Sequence, residues 1–84
     1  MTLEILTPDK TVFEGLVTSV TVPGTLGSFE VLKDHAPIIS TLEDGKVIVR
    51  DGSKPEEIFI IKGGVVEVLN NKITVLAEGV GETL

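Results

Sequence analysis

Cysteine, tryptophan and tyrosine are absent from this chain of 84 residues, which carries three phenylalanines, one histidine and one methionine. Without cysteine there is no disulfide framework, no thiolate metal site and no thiol nucleophile, so the core holds together by packing alone. A lone histidine cannot assemble a multi-histidine metal site. Nucleophilic catalysis of the Ser/His/Asp kind would require His35 to meet Ser28 or Ser40 and an acid such as Asp34 or Asp44, and adjacency in sequence is no sign of that. Basic residues are few: 7 Lys and Arg stand against 13 Asp and Glu, a formal net charge of −6. With so few aromatic stacking platforms, that balance argues against a nucleic-acid partner. No phosphate-binding loop of the Gly-x-x-x-x-Gly-Lys-Ser/Thr form occurs. No apolar run approaches the roughly 18 to 20 residues of a membrane helix, and no charged leader followed by an apolar run opens the chain. The expectation is a soluble chain without an anchor of its own.

What the chain has in abundance is aliphatic side chains bounded by turn chemistry, with 42% hydrophobic residues. So short a chain makes one domain, residues 1–84. Strand-like runs cover 2–7, 11–14, 16–22, 27–32, 36–42, 46–50, 57–62, 65–69 and 72–78. Between 16 and 22 the alternation places Leu16, Val20 and Val22 on one face and Val17, Ser19 and Thr21 on the other. Asn70-Asn71 reads as a tight turn. Asp51-Gly52 is a hairpin signal lengthened by Ser53, Lys54 and Pro55. Gly63-Gly64 reads as a sharp corner or a close backbone approach. No stretch repeats apolar residues at helical spacing over ten or more positions. Short strands at this spacing predict an all-β fold, a flattened sandwich or barrel of about ten strands with no carboxy-terminal helical domain.

Residues 22–39 are the most informative stretch. Pro23-Gly24 is the pair that a type II turn wants, so a strand is expected to end there. Pro37 biases Ala36 away from helical geometry, which makes His35-Ala36-Pro37 an extended lead into the next strand. Two runs, Ile58-Phe59-Ile60-Ile61 and Val65-Val66-Glu67-Val68-Leu69, are apolar on both faces, whereas a two-layer sandwich covers only one face of each sheet. A partner is expected on the other face.

In order, the chain shows Phe13-Glu14-Gly15-Leu16-Val17, Val22-Pro23-Gly24, Gly27-Ser28-Phe29-Glu30-Val31-Leu32 and His35-Ala36-Pro37-Ile38-Ile39. Phe59-Ile60-Ile61-Lys62-Gly63-Gly64-Val65-Val66-Glu67-Val68 and Ile73-Thr74-Val75-Leu76-Ala77-Glu78 follow. Each motif alone is weak, but the ordered set over residues 3–78 resembles the amino-terminal β-sandwich of the epsilon subunit of rotary F-type ATP synthases. In that family the loop before the His-Ala-Pro triplet usually reads Pro-Gly, where this chain has Lys33-Asp34. A second glycine of the family loop is replaced by Glu30.

The resemblance implies a non-catalytic subunit of the central stalk, clamped to the gamma subunit and seated on the c-subunit ring, which couples ion flow to ATP synthesis. It implies contact with gamma at His35, Ala36, Pro37, Ile38 and Ser40, and contact with the ring at Thr25, Leu26, Gly27, Ser28 and Phe29. No cofactor and no small-molecule substrate are implied, and the expected location is the cytoplasmic face of the bacterial inner membrane, as a peripheral part of the complex. Longer family members continue into a helical hairpin that can inhibit ATP hydrolysis. Residues 79–84 are too short for two helices, which implies a short form that couples without inserting such an arm. The rival reading is a small carrier sandwich bearing biotin or lipoate on Lys10 or Lys72, although neither lysine has the Met-Lys-Met context of biotin carriers.

Overall fold

The computed structural model describes residues 1–81. It contains ten strands: β1 (Thr2–Thr7), β2 (Lys10–Leu16), β3 (Ser19–Gly24), β4 (Gly27–Leu32), β5 (Ile38–Leu42), β6 (Gly45–Arg50), β7 (Glu57–Lys62), β8 (Gly64–Leu69), β9 (Lys72–Leu76) and β10 (Gly79–Val80). Among the described residues there is no helix. The all-β expectation is therefore met. Three of the last six residues, 82–84, lie outside the described residues, and with them part of the argument about a missing helical arm.

The strands form one sheet in the order β10-β7-β6-β3-β5-β8-β9-β1-β2, with β4 on the other side of β3. It folds back on itself at β3. The first residues of β3 pair with β6, through Ser19, Val20 and Thr21, while its last residue, Gly24, pairs with Leu42 of β5. One layer is thus β4-β3-β6-β7-β10 and the other β5-β8-β9-β1-β2. All strand pairs are antiparallel except β1 with β9, which run parallel.

Alternation explains the core. Leu3, Ile5, Val20, Val22, Val31, Val47, Ile61, Val66, Val68, Ile73 and Val75 are all but fully buried and come from both layers. Full burial of each such side chain contributes about 1.5–3 kcal/mol. Phe13 of β2 meets Phe59 of β7 edge to face across the two layers, with ring centroids 5.7 Å apart.

Several boundaries differ from the sequence expectation. Pro23-Gly24 is not the centre of a type II turn: Gly24 ends β3, and the turn residues are Thr25 and Leu26. Gly24 is required for space, because a Cβ there would lie 2.7 Å from the Gly27 carbonyl and 2.9 Å from the Phe29 ring. Strand β2 runs on through Gly15, and the chain crosses between layers at Val17 and Thr18, so Leu16 is 78% exposed while Val17 is buried. The expected continuous strand from Leu16 thus begins instead at Ser19. The final run stops at Leu76, and Gly79–Val80 starts a tenth strand against β7.

Gly63 and Gly64 make the corner between layers, with φ of +47° and +126°. A Cβ on Gly64 would collide with the Leu76 carbonyl and come within 2.9 Å of Ala77 Cα. The Gly63 amide donates to Asp44 Oδ1 at 2.9 Å, tying this corner to the β5–β6 turn. Asn70 and Asn71 turn β8 into β9 with φ of +50° and +60°, the positive pair that a two-residue hairpin prefers.

Candidate functional site

The two expected contact stretches meet along β5. At one end is the β3–β4 hairpin. Gly24 faces Gly27 across its base, Thr25 and Leu26 form its tip, and Gly27 carries the positive φ, +128°. Leu26 is fully exposed (104%), an apolar side chain held out at a turn. Thr25, Gly27 and Ser28 are exposed as well, whereas Phe29 is half-buried and packs on the core. Phe29 therefore supports the hairpin from beneath, and the surface belongs to the other four residues.

The hairpin is fastened to β5. The Thr25 amide donates to the Thr41 carbonyl at 3.1 Å, and the Glu43 amide donates to the Pro23 carbonyl at 2.9 Å. The hydroxyls of Thr25 and Thr41 are 2.8 Å apart. These bonds form where β3 has parted from β6, which is also where a residue without an N–H, Pro23, costs no ladder bond.

At the other end of β5 lies the 35–40 segment. Lys33 and Asp34 turn the chain out of β4, Asp34 at φ +64°, and the His35 amide donates to the Leu32 carbonyl at 3.2 Å. His35 is half-buried, and its Nδ1–H donates to the Ala36 carbonyl at 2.7 Å. Ala36 and Pro37 are exposed. Ile38 and Ser40 lie on the inward side of β5 with Leu42, both half-buried, and the Ser40 hydroxyl donates to the Thr41 carbonyl at 3.3 Å. The nucleophile-and-base pairing considered for His35 and Ser40 is thus replaced by bonds from each to a neighbouring carbonyl.

An apolar groove of about 430 Å³ opens beside this segment, lined by Pro37, Ile38, Ile39, Glu67, Val68 and Leu69. Ile39 is 73% exposed and Leu69 48%. The resemblance implies contacts at Ile38 and Ser40, and Ile39 and Leu69 join them in the structure; the period-2 rule carries the signal for Ile39, since it faces out if Ile38 and Leu42 face in.

One carboxylate faces the groove: Glu67, exposed and directly opposite Ile39. Arg50, on the outer side of the other layer, joins Glu30 at 3.5 Å and Glu56 at 3.1 Å, exposed pairs of a kind worth about 0–1 kcal/mol. Among the described residues no group of three or more His, Cys, Asp or Glu side chains could hold a metal ion. Lys10 and Lys72, the lysines of the carrier reading, are exposed and open β2 and β9.

A domain of ten short, mostly antiparallel strands in two packed layers is, by class, a small β-sandwich. Residues 1–82 match the family model described as the ATP synthase, Delta/Epsilon chain, beta-sandwich domain, and the chain belongs to that family. It is 46% identical over 78 residues to the ATP synthase epsilon chain of Chlorobium limicola, covering 93% of this chain and 89% of that one. Identity to the epsilon chain of Chlorobaculum tepidum is also 46%, over 94% and 90% of the two chains. The epsilon chain of Salinibacter ruber is 43% identical over 95% of this chain and 59% of its own length.

Among solved structures, a chain of the Euglena gracilis mitochondrial ATP synthase, OSCP/F1/c-ring in rotational state 1, superposes with a TM-score of 0.87 at 18% identity. That match covers 94% of this chain and 51% of the other. A chain of the Tetrahymena thermophila mitochondrial ATP synthase central stalk and c-ring gives 0.73 at 20% identity, over 99% and 64%. These two likenesses establish the fold. Family membership leaves the carrier reading without support.

Proposed function

We propose that this chain is a non-catalytic rotor subunit of an F-type ATP synthase, joining the gamma subunit to the c-subunit ring and coupling ion flow to ATP synthesis. On this reading it sits peripherally at the cytoplasmic face of a bacterial plasma membrane. The groove at Pro37, Ile38 and Ile39 receives gamma, with His35 and Ala36 at its rim and Ser40 beneath, and the hairpin of Thr25, Leu26, Gly27 and Ser28, braced by Phe29, meets the ring. The observation that carries the reading is a strip along β5 with exposed apolar side chains at both ends, Leu26 on the hairpin tip and Ile39 with Leu69 at the groove, and the Thr25 and Thr41 hydroxyls between them. Relatives named ATP synthase epsilon chain support it.

Substitutions at the two ends of the strip test it. Leu26 stands on an exposed turn, so Leu26→Asp should change stability by less than about 0.5 kcal/mol; Ile39 sits directly opposite Glu67, so Ile39→Thr, which stays β-branched and adds no like charge, is the matching change in the strand. In reconstituted enzyme, Ile39→Thr should weaken binding to gamma about tenfold or more, as loss of a buried apolar anchor does. Leu26→Asp should leave that affinity alone and reduce ion pumping more than ATP hydrolysis. Unchanged pumping across several substitutions of Leu26 and Ser28 would remove the ring contact from the reading, and unchanged gamma affinity would remove the groove.

A further inference from the structure

Among the described residues three non-glycine residues have positive φ: Asp34 (+64°), Asn70 (+50°) and Asn71 (+60°). This conformation is disfavoured for side chains with a Cβ, least so for Asn and Asp. Glycine would meet the backbone demand at less strain, yet these positions keep their side chains, and two of them bind each other. The Asp34 amide donates to Asn71 Oδ1 at 2.7 Å, and Asn71 Nδ2 donates to Asp34 Oδ1 at 3.0 Å. The pair is reciprocal, one bond carries a carboxylate, and it joins positions 37 residues apart.

Its location gives it a use. Asp34 lies three residues before Pro37, one wall of the groove, and Asn71 lies two residues after Leu69, the opposite wall. Residues 35–37 have no strand pairing of their own, since β5 begins at Ile38. On the β4 side this lead is held by the His35 amide on Leu32. The Asp34–Asn71 pair fastens it to the β8–β9 turn.

We propose that Asp34 and Asn71 form a clasp that positions the 35–37 segment and the groove wall for docking, so that the loop is ordered before its partner arrives. The proposal rests on the reading of this groove as the gamma-binding surface. A segment ordered beforehand loses less conformational entropy on binding, and the gain appears in affinity and in the rate of productive encounter. Asp34 and Asn71 are positioning residues here. They act through the segment that they hold.

Side-chain exchange separates this role from a general contribution to stability. Asn71→Asp sets two carboxylates against each other and removes the Nδ2 donor. Asp34→Asn retains both bonds, because an amide oxygen still accepts from Asn71. The double variant Asp34→Asn with Asn71→Asp restores both bonds with roles exchanged: the amide at position 34 still finds a carboxylate oxygen, and the new side-chain amide donates to it.

With the full chain, amide hydrogen exchange at Asp34 and His35 should rise about tenfold in Asn71→Asp while core amides at Val66 and Val75 keep their protection. The association rate with purified gamma should fall by about three- to tenfold. Asp34→Asn should match the unmodified chain on both measures, and the double variant should recover both. Binding by the unmodified chain with no change in Asn71→Asp overturns the clasp, as does a double variant no better than Asn71→Asp alone. Failure of the unmodified chain to bind gamma instead overturns the docking reading on which the clasp rests.

Discussion

The hydroxyls of Thr25 and Thr41 lie 2.8 Å apart, joining the tip of the β3–β4 hairpin to the strand that leads away from the groove. This bond and the backbone bond beside it are the reason that a two-residue turn can hold a bare leucine in a defined place. Thr41→Val keeps the shape and removes the hydroxyl. It should cost about 0.5–1.5 kcal/mol in chemical unfolding, the usual net worth of one hydrogen bond. Amide exchange at Thr25 and Leu26 should accelerate, and exchange in β7 should stay as it is. Equal exchange at the tip would mean that the backbone bond alone holds the hairpin.

Gly64 marks the point where the chain passes from one layer to the other. Its φ of +126° and the absence of room for a Cβ beside Leu76 and Ala77 act together. Gly64→Ala is therefore expected to destabilise the chain by several kcal/mol, or to prevent folding at 37 °C. Gly79→Ala is the control, since nothing lies within 4 Å of a Cβ added there. Its unfolding midpoint should stay close to that of the unmodified chain, and a comparable loss in both variants would refute this account of the corner.

Much of this architecture is legible residue by residue. The runs 2–7, 27–32 and 57–62 coincide with β1, β4 and β7, because turn or bend residues follow each run and, for β4 and β7, precede it as well. The Asn70-Asn71 turn and the Gly63-Gly64 corner follow from backbone chemistry that few other residues supply. What escapes the sequence is long-range. The switch of β3 from β6 to β5 at Pro23, the crossing at Val17, and the β2 bulge that pairs Ile5 with Phe13 but Leu6 with Thr11 depend on the partner strand. The same holds at the candidate site. The His-Ala-Pro triplet is visible in one dimension, but Leu69 and Asn71 join it only when β8 and β9 fold beside it.

The edge-to-face pair of Phe13 and Phe59 spans the two layers. Phe59 is 6% exposed, so Phe59→Ala should cost about 3–5 kcal/mol. Phe13 is half-buried and should cost less. A double-mutant cycle should leave a coupling of about 0.5–1.5 kcal/mol between the rings. Zero coupling in urea melts would assign each ring's worth to burial alone.

The β6–β7 loop carries a pH dependence of its own. Asp51 Oδ1 accepts from the amides of Ser53 (3.0 Å) and Lys54 (2.9 Å) and from the Ser53 hydroxyl. The Ser53 amide foremost holds the Asp51 carboxyl below its ordinary value; desolvation, next in size, opposes it, and the Lys54 amide, the Ser53 hydroxyl and the Lys54 ammonium add to the lowering. Because the folded value is depressed, the loop's stabilisation is complete above the ordinary carboxylate range and is lost as pH falls through the lower, folded value. In a carboxyl-carbon NMR titration, Asp51 should titrate at lower pH than a free aspartate. The Ser53 and Lys54 amide shifts should follow the same curve, and Asp51→Asn should abolish it. Titration at the ordinary value would contradict the loop geometry.

The two runs that are apolar on both sides turn out to face opposite ways. Strand β7 belongs to one layer and β8 to the other, so the outward side chains Ile58 and Ile60 point away from Ile39, Val65 and Leu69. One partner face cannot cover both. The β7 side is already half-buried, and the Arg50, Glu30 and Glu56 ion pairs flank it. The β8 side carries the groove at its Leu69 end; at its other end, beyond the polar row of Glu67, Thr74 and Glu4, Val65 pairs with Leu76 and Leu76 with Leu6. Carbene footprinting with and without gamma discriminates between the two faces. Labelling should fall at Ile39 and Leu69 on binding and stay constant at Ile58 and Ile60; protection confined to Ile58 and Ile60 would move the partner to the opposite layer and detach it from the 35–40 segment.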